Sequence, residues 1–247
     1  MSACALAMAA LPATAEAATT LVPCNTTALV TAITNAAPSG DTLKLSGHCI
    51  YTLTSPLPVI DKSLAIDGNG SAITRSASAP AFRIFDVTNK LNLDRIALSG
   101  GNAAGDFGGA VAVQPGGTLN LDRSILTHNT AEFFGGISNA PGGTVNVSRS
   151  VIIRNQAMGD GGGAGNLGTM IFDRSVIEQN TAGGKGGGIV NLGGTVKLDR
   201  TVVTQNRATS APGGIDNQSG TVTLTRSVVR NNVPTNCSPT TVPWCVN

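Results

Sequence analysis

Large aromatic side chains are nearly missing from this chain: six Phe, one Tyr and one Trp in 247 residues. A core without such rings must be filled by Val, Ile and Leu in thin stacked layers, which suits a narrow solenoid better than a sandwich. Charge is also sparse, at 12% of residues, low for a soluble globule. No apolar run is long enough to cross a membrane as a helix, so no membrane span is expected. There is no Walker loop, HExxH or GxSxG element, and nucleotide, zinc-protease and serine-hydrolase chemistry find no support. No CxxC motif occurs, so neither a metal nor a cofactor is expected.

What is present is apolar and glycine-rich: 41% hydrophobic residues and 31 Gly. Residues 1–17 read as a secretion leader that begins downstream of the usual basic start. Cys4–Leu11 is its apolar run and Ala15-Glu16-Ala17 its small-x-small cleavage site. Losing Glu16 with the leader takes the net charge from +2 to +3. That balance leans towards an anionic partner. Four cysteines remain, one pair near each end, and in an exported chain they read as disulfides Cys24–Cys49 and Cys237–Cys245.

The dominant signal is a repeat. Copies begin at Thr118, Thr144, Thr169, Thr195 and Thr221, in steps of 26, 25, 26 and 26 residues. In Thr118–Arg123, Leu119 and Leu121 alternate with Asn120 and Asp122, the period-2 pattern of a half-buried strand. A second strand follows (Ser124–Asn129, Ser150–Asn155) and a third starts at a Gly pair (Gly135–Asn139, Gly187–Asn191). Three short strands and three turns per coil predict an all-β, right-handed parallel β-helix, because stacked repeats bury faces that single ones cannot. Residues 18–247 form one domain in this reading. Residues 18–40 make an N-terminal cap whose short helix runs from an N-cap at Thr26 or Thr27 to Ala37. Residues 233–247 make a disulfide-stapled C-terminal cap.

The GGA[ILV] and FxxN elements of the polymorphic outer-membrane-protein repeat family are approximated here. Gly109-Ala110-Val111 and Gly188-Ile189 match the first; Leu126-Thr-His-Asn129 and Ile177-Glu-Gln-Asn180 match the second, with Leu or Ile for Phe. Cys24–Gly70, with its Ser63–Gly70 stretch, also looks like the leading coils of such proteins. The resemblance covers most of the mature chain and implies the fold; the fold hosts many activities. In size, leader and repeat, though in no catalytic motif, the chain is also similar to small secreted bacterial hyaluronate lyases. That resemblance implies hyaluronan as substrate.

Stacking turns sequence repeats into columns. The Asn columns (129, 155, 180, 206, 232 and 139, 166, 191, 217) read as structural ladders, and Arg95, Arg123, Arg149, Arg174, Arg200 and Arg226 as a charge ladder with neighbouring Asp. The variable loops are Ala103–Phe107, Thr130–Phe134, Gln156–Asp160, Thr181–Lys185 and Arg207–Pro212. They place Asp106, Phe107, Glu132, Phe133, Phe134, Asp160, Lys185 and Arg207 on one edge, where a rigid scaffold usually carries function. Beside it lies the column His128, Arg154, Gln179, Gln205, Asn231. His48 and Tyr51 form a second candidate pair near the lid.

Two functions follow. The first is a lyase cleaving an anionic uronic-acid glycan by β-elimination. Arg154, helped by Asn129 or Asn155, neutralises the carboxylate, His128 removes the C5 proton, and Glu132 is the nearest candidate acid. Phe133, Phe134, Asp160, Lys185 and Arg207 would bind the chain. The second is a non-catalytic adhesion or glycan-binding module. A minor third reading is ice binding through the Thr column. An anionic polysaccharide is the expected partner, with no nucleic acid, and the protein is expected to be a secreted monomer.

Overall fold

The computed structural model describes residues 17–238 and 242–246; residues 1–16, nearly the whole expected leader, lie outside them. The described residues form an all-β parallel solenoid with one ten-residue helix, Thr26–Asn35. Equivalent residues stack in register: Thr118, Thr144, Thr169, Thr195 and Thr221 are successive partners along the axis.

The alternation seen in sequence becomes the core. Leu91, Leu119, Val145, Met170, Val196 and Val222 form one buried file, and Ile73, Leu98, Leu126, Ile152, Ile177 and Val203 another. Each buried aliphatic side chain contributes about 1.5–3 kcal/mol, so the stack stabilises itself coil by coil.

The strands are shorter than the sequence pattern predicts. Thr118–Asp122 stops before Arg123, and Ile125–Thr127 before His128. Both residues turn the chain with a left-handed backbone. The Arg column from Arg95 to Arg226 has φ of 45–51°, and the column from His128 to Asn231 has φ of 53–55°. Arg and Gln do not favour this conformation, whereas His128 and Asn231 tolerate it better. The residue after each corner compensates. Ser124 donates its hydroxyl to Asp122 O at 2.6 Å and accepts Ile96 N–H at 3.1 Å, and Ser150, Ser175 and Thr201 repeat the donation to the carbonyl two residues back.

At the other corner the Asn ladder forms as expected. Asn155 donates Nδ2 to Leu126 O and Asn180 Oδ1, both at 3.0 Å, while its Oδ1 accepts Asn129 N (3.1 Å) and Nδ2 (2.9 Å). Its hydrogen-bonding capacity is therefore filled. The second ladder links Asn139, Asn166, Asn191 and Asn217 at 2.8–2.9 Å. It leaves Asn139 Oδ1 without a partner among the described residues, because Val113 stands where a preceding Asn would.

The loops are more regular than expected. Asn102–Phe107, Thr130–Phe133, Gln156–Ala157, Thr181–Ala182 and Arg207–Ala208 pair as a separate five-stranded parallel sheet. Each coil there carries a fourth strand, before the Gly bend.

At the N-terminus a strand, Thr19–Val22, pairs with Thr42–Leu45, and the helix buries Leu29 and Ile33. The helix cap is Asn25, not Thr26 or Thr27: Asn25 Oδ1 accepts Ala28 N–H at 3.1 Å. Helix geometry ends at Asn35 rather than Ala37. Cys24–Cys49 and Cys237–Cys245 are disulfides, with Cα separations of 5.6 and 6.2 Å.

Candidate functional site

The corner after Thr127 sets the first part of the site. With His128 left-handed and Asn129 turned inward, the His128 ring is exposed and Nδ1 lies 2.8 Å from Thr127 Oγ1. When Nδ1 donates there, Nε2 is an acceptor with no protein partner among the described residues. The register Thr127↔Ile153 puts Arg154 one coil on from His128, roughly 4.8 Å along the axis. Arg154 is exposed, and its Nε donates to Gln179 Oε1 at 3.0 Å, which braces the guanidinium from the next coil. Gln179 in turn donates to Gln205 at 3.1 Å. The expected neighbours His128 and Arg154 are thus adjacent.

Asn129 and Asn155 are not available to a substrate. Both are at most 1% exposed and their amides are committed to the ladder. The substrate role expected for them is corrected: the inward position that lets Asn satisfy the corner is the position that hides it.

Beyond the corner, Thr130–Phe133 alternates outward and inward. Ala131 is buried, while Glu132 is half-buried with no side-chain partner among the described residues. The three Phe divide. Phe107 (45% exposed) and Phe133 (37%) stack with centroids 5.7 Å apart, next to Met158 at 71%. Phe134, expected to meet substrate, is 3% exposed. Its ring lies where a Cβ on Gly161 or Gly165 would be, so it fills a seat those glycines leave and belongs to the packing.

The remaining loop residues are spread out. Asp160 Oδ1 accepts Lys185 N–H at 2.7 Å and Oδ2 lies 3.4 Å from Gln218 Nε2; Gln218 also reaches Asp216, which is buried. Asp160 therefore braces one loop against the next. Lys185 and Arg207 are exposed, on successive coils further along the stack.

Sequence reasoning missed a groove of about 280 Å³ on the preceding coils, lined by Leu57, Phe82, Arg83, Asp86, Asn102 and Asp106. Arg83 and Asp106 are paired across it. Arg83 lies in no repeat column, and being out of register was the available signal. Also missed was an outward apolar file on the second strand: Ile50, Ala72, Ala97, Ile125, Val151, Val176, Val202 and Val228 are successive partners. Ile50, Ile125 and Val228 are 44–66% exposed.

Other candidates resolve into scaffold. Each Arg of the corner column touches a carboxylate, as in Arg123–Asp94 at 2.6 Å and Arg149–Asp122 at 2.5 Å. Where the preceding Asp is missing, at Ser148 and Thr225, the Arg borrows one from the previous coil. Tyr51 is fully buried, donates to Val22 O at 3.1 Å, and has its phenol pKa pushed up by burial, so it cannot pair with His48 as a proton donor. The Thr column is in register but half-buried from Thr118 to Thr195. Among the described residues no cluster of His, Cys, Asp and Glu could hold a metal, and no helix is long and apolar enough to cross a membrane.

No family model, curated protein or solved structure matches the chain.

Proposed function

We propose that this protein is an extracellular polysaccharide lyase that cleaves a uronic-acid glycan by β-elimination, with hyaluronan the first substrate to test. The observation that carries the reading is the exposed pair His128 and Arg154 on adjacent coils, with the stacked rings of Phe107 and Phe133 at the far end of the strand that follows the corner. The choice of hyaluronan rests only on the general resemblance in size, leader and repeat noted from the sequence.

In this mechanism the guanidinium of Arg154 pairs with the substrate carboxylate and draws off charge as the carbanion develops at C5. His128 Nε2 takes the C5 proton, with Nδ1–H donated to Thr127 holding the tautomer. The C4–O bond then breaks, and Glu132 delivers the proton to the leaving oxygen. Phe107 and Phe133 offer ring faces to the sugar. Lys185 and Arg207 add positive charge on the following coils, at other positions of the loop edge.

The test is incubation with hyaluronan, chondroitin, pectate and alginate while following the ultraviolet absorbance of the unsaturated product. No signal from any of the four rejects the reading. With activity in hand, His128→Ala should lower kcat at least a hundredfold, while Arg154→Ala should lower kcat/KM by a similar factor. Full rate in His128→Ala would remove the base.

One observation favours a second reading, a non-catalytic glycan-binding or adhesion module. The apolar file from Ile50 to Val228 gives the molecule an outward apolar stripe, exposed at Ile50, Ile125 and Val228 and half-buried between them, that the lyase mechanism does not use. Retention on immobilised hyaluronan without product formation would favour this module over the enzyme.

A further inference from the structure

We propose that hydrolysis of the Ala17–Ala18 bond gives Ala18 a free α-ammonium group that pairs with the buried carboxylate of Asp41, so that leader removal fastens the first strand and the helical lid to the solenoid. Two independent observations meet at this bond. The small-x-small pattern ending at Ala17 places the cut from sequence alone. In the fold, Ala18 N lies 2.9 Å from Asp41 Oδ1.

Asp41 is a carboxylate already held in its charged form by backbone donors, with no cation hydrogen-bonded to it among the described residues. It is 7% exposed, yet among the described residues it forms no ion pair. Its two oxygens accept only neutral donors, Ala18 N–H and Ala37 N–H at 2.8 Å. Lys62 is the other charged group that acts on it, but Lys62 Nζ is spent on Ala36 O at 2.9 Å and Thr34 O at 3.4 Å. Ala18 N and Ala37 N–H already favour the charged carboxylate, and turning one of these neutral donors into a cation strengthens that hydrogen bond.

Cleavage supplies the partner at a nitrogen that the fold already holds against the carboxylate. Water adds its oxygen to the Ala17 carbonyl carbon, the C–N bond breaks, and Ala17 leaves as a carboxylate under a leader peptidase of the exporting cell. The Ala18 nitrogen takes up protons and becomes a cation near neutral pH. It is already fixed in place, since Ala18 O accepts Thr42 N–H at 2.8 Å and Thr19 opens the register with Thr42. The same carboxylate holds Ala37 just past the helix, so one ion pair ties strand, helix and first coil together.

The sign of the pH dependence follows. The pair raises the ammonium pKa in the folded state above its ordinary value. Its stabilisation is complete below about pH 8 and is lost as pH rises through the raised value. On the acid side the backbone donors at Ala37 and Ala18 hold the Asp41 carboxyl below the usual range, so the pair persists to below about pH 4.

The experiment expresses the full chain with its own first 17 residues in an exporting bacterial host and reads the N-terminus by intact mass. Melting temperatures are then compared for the processed protein, for a form with one Gly added before Ala18, and for Asp41→Asn in each, at pH 6 and pH 10.5. The expected N-terminus is Ala18. Asp41→Asn should cost several degrees more in the Ala18 form than in the Gly-extended form at pH 6, and that excess should vanish at pH 10.5. A different N-terminus, or an equal cost in both forms, overturns the proposal. Should Asp41→Asn fail to accumulate, the two parent forms decide alone: equal melting temperatures at pH 6 overturn it.

Discussion

At the scale of single residues, the ladder asparagines hold the corners closed. Asn180 is fully buried; its Oδ1 accepts Asn155 N and Nδ2, and its Nδ2 donates to Ile152 O and Asn206 Oδ1. Asn180→Ala leaves buried donors and acceptors unpaired on two coils, and a loss of about 3 kcal/mol is expected in denaturant unfolding. The opposite sign is expected one position earlier in the next coil. Gln205 has φ 55° and an exposed side chain. Asn tolerates the left-handed region better than Gln, so Gln205→Asn should add about 0.5 kcal/mol by the same measurement. These corners also mark where sequence reading stopped. The Asn columns were legible because one residue type recurs at one position. The left-handed backbone at Arg123 or Arg154 was not, since the stacked coils impose it against the residue's own preference.

At the scale of elements, the short five-stranded sheet separates packing from display. Phe134→Ala should cost about 3 kcal/mol as a buried ring over Gly161 and Gly165. Phe133→Ala should cost under about 1 kcal/mol, since its ring is 37% exposed. If the lyase reading holds, Phe133→Ala should instead raise KM. Calorimetry and kinetics on the pair decide this, and a large stability loss in Phe133→Ala would reject the division. The sequence placed both Phe residues in one variable loop. It could not tell them apart, because their glycine seats lie a coil away. The Arg–Asp corner ladder behaves differently again. Arg200 donates a hydrogen bond to Asp173 and holds its carboxyl below the usual range. A depressed carboxyl pKa stabilises the fold above the ordinary value near pH 4, and that contribution disappears as pH falls through the lowered one. Acid titration of Asp173→Asn should therefore show a flatter loss of stability below pH 4 than the parent. High salt should shrink the difference, because these pairs are exposed.

At the scale of the whole molecule, a solenoid is close to one-dimensional: each coil is held by its neighbours, and the end coils have only one. The two disulfides sit at those ends, Cys24–Cys49 closing the N-terminal side and Cys237–Cys245 the C-terminal side. Replacing Cys24 and Cys49 with Ser removes a cross-link of 25 residues, worth about 3 kcal/mol in the unfolded chain. Hydrogen exchange should then quicken from the lid inwards and leave the central coils, Thr118 to Asp199, protected longest. Uniform quickening would count against this order. The architecture at this scale was the most legible feature of the sequence, since a 26-residue period of Leu, Asn and Gly positions carries both coil length and register. The fourth strand of each coil was the least legible, being two residues long in three of its five copies.

The amides of the long Asn ladder all point the same way. From Asn129 to Asn236 each Nδ2 donates to the Oδ1 of the following member, and the backbone groups beside them fix that sense. Small side-chain dipoles aligned head to tail add along the axis and polarise one another, so the stack has an electrical direction as well as a chain direction. Its two faces are then unlike plug and socket. An end-to-end union of two molecules that continued the ladder would have to be head to tail, which is the geometry of an open filament rather than a closed pair.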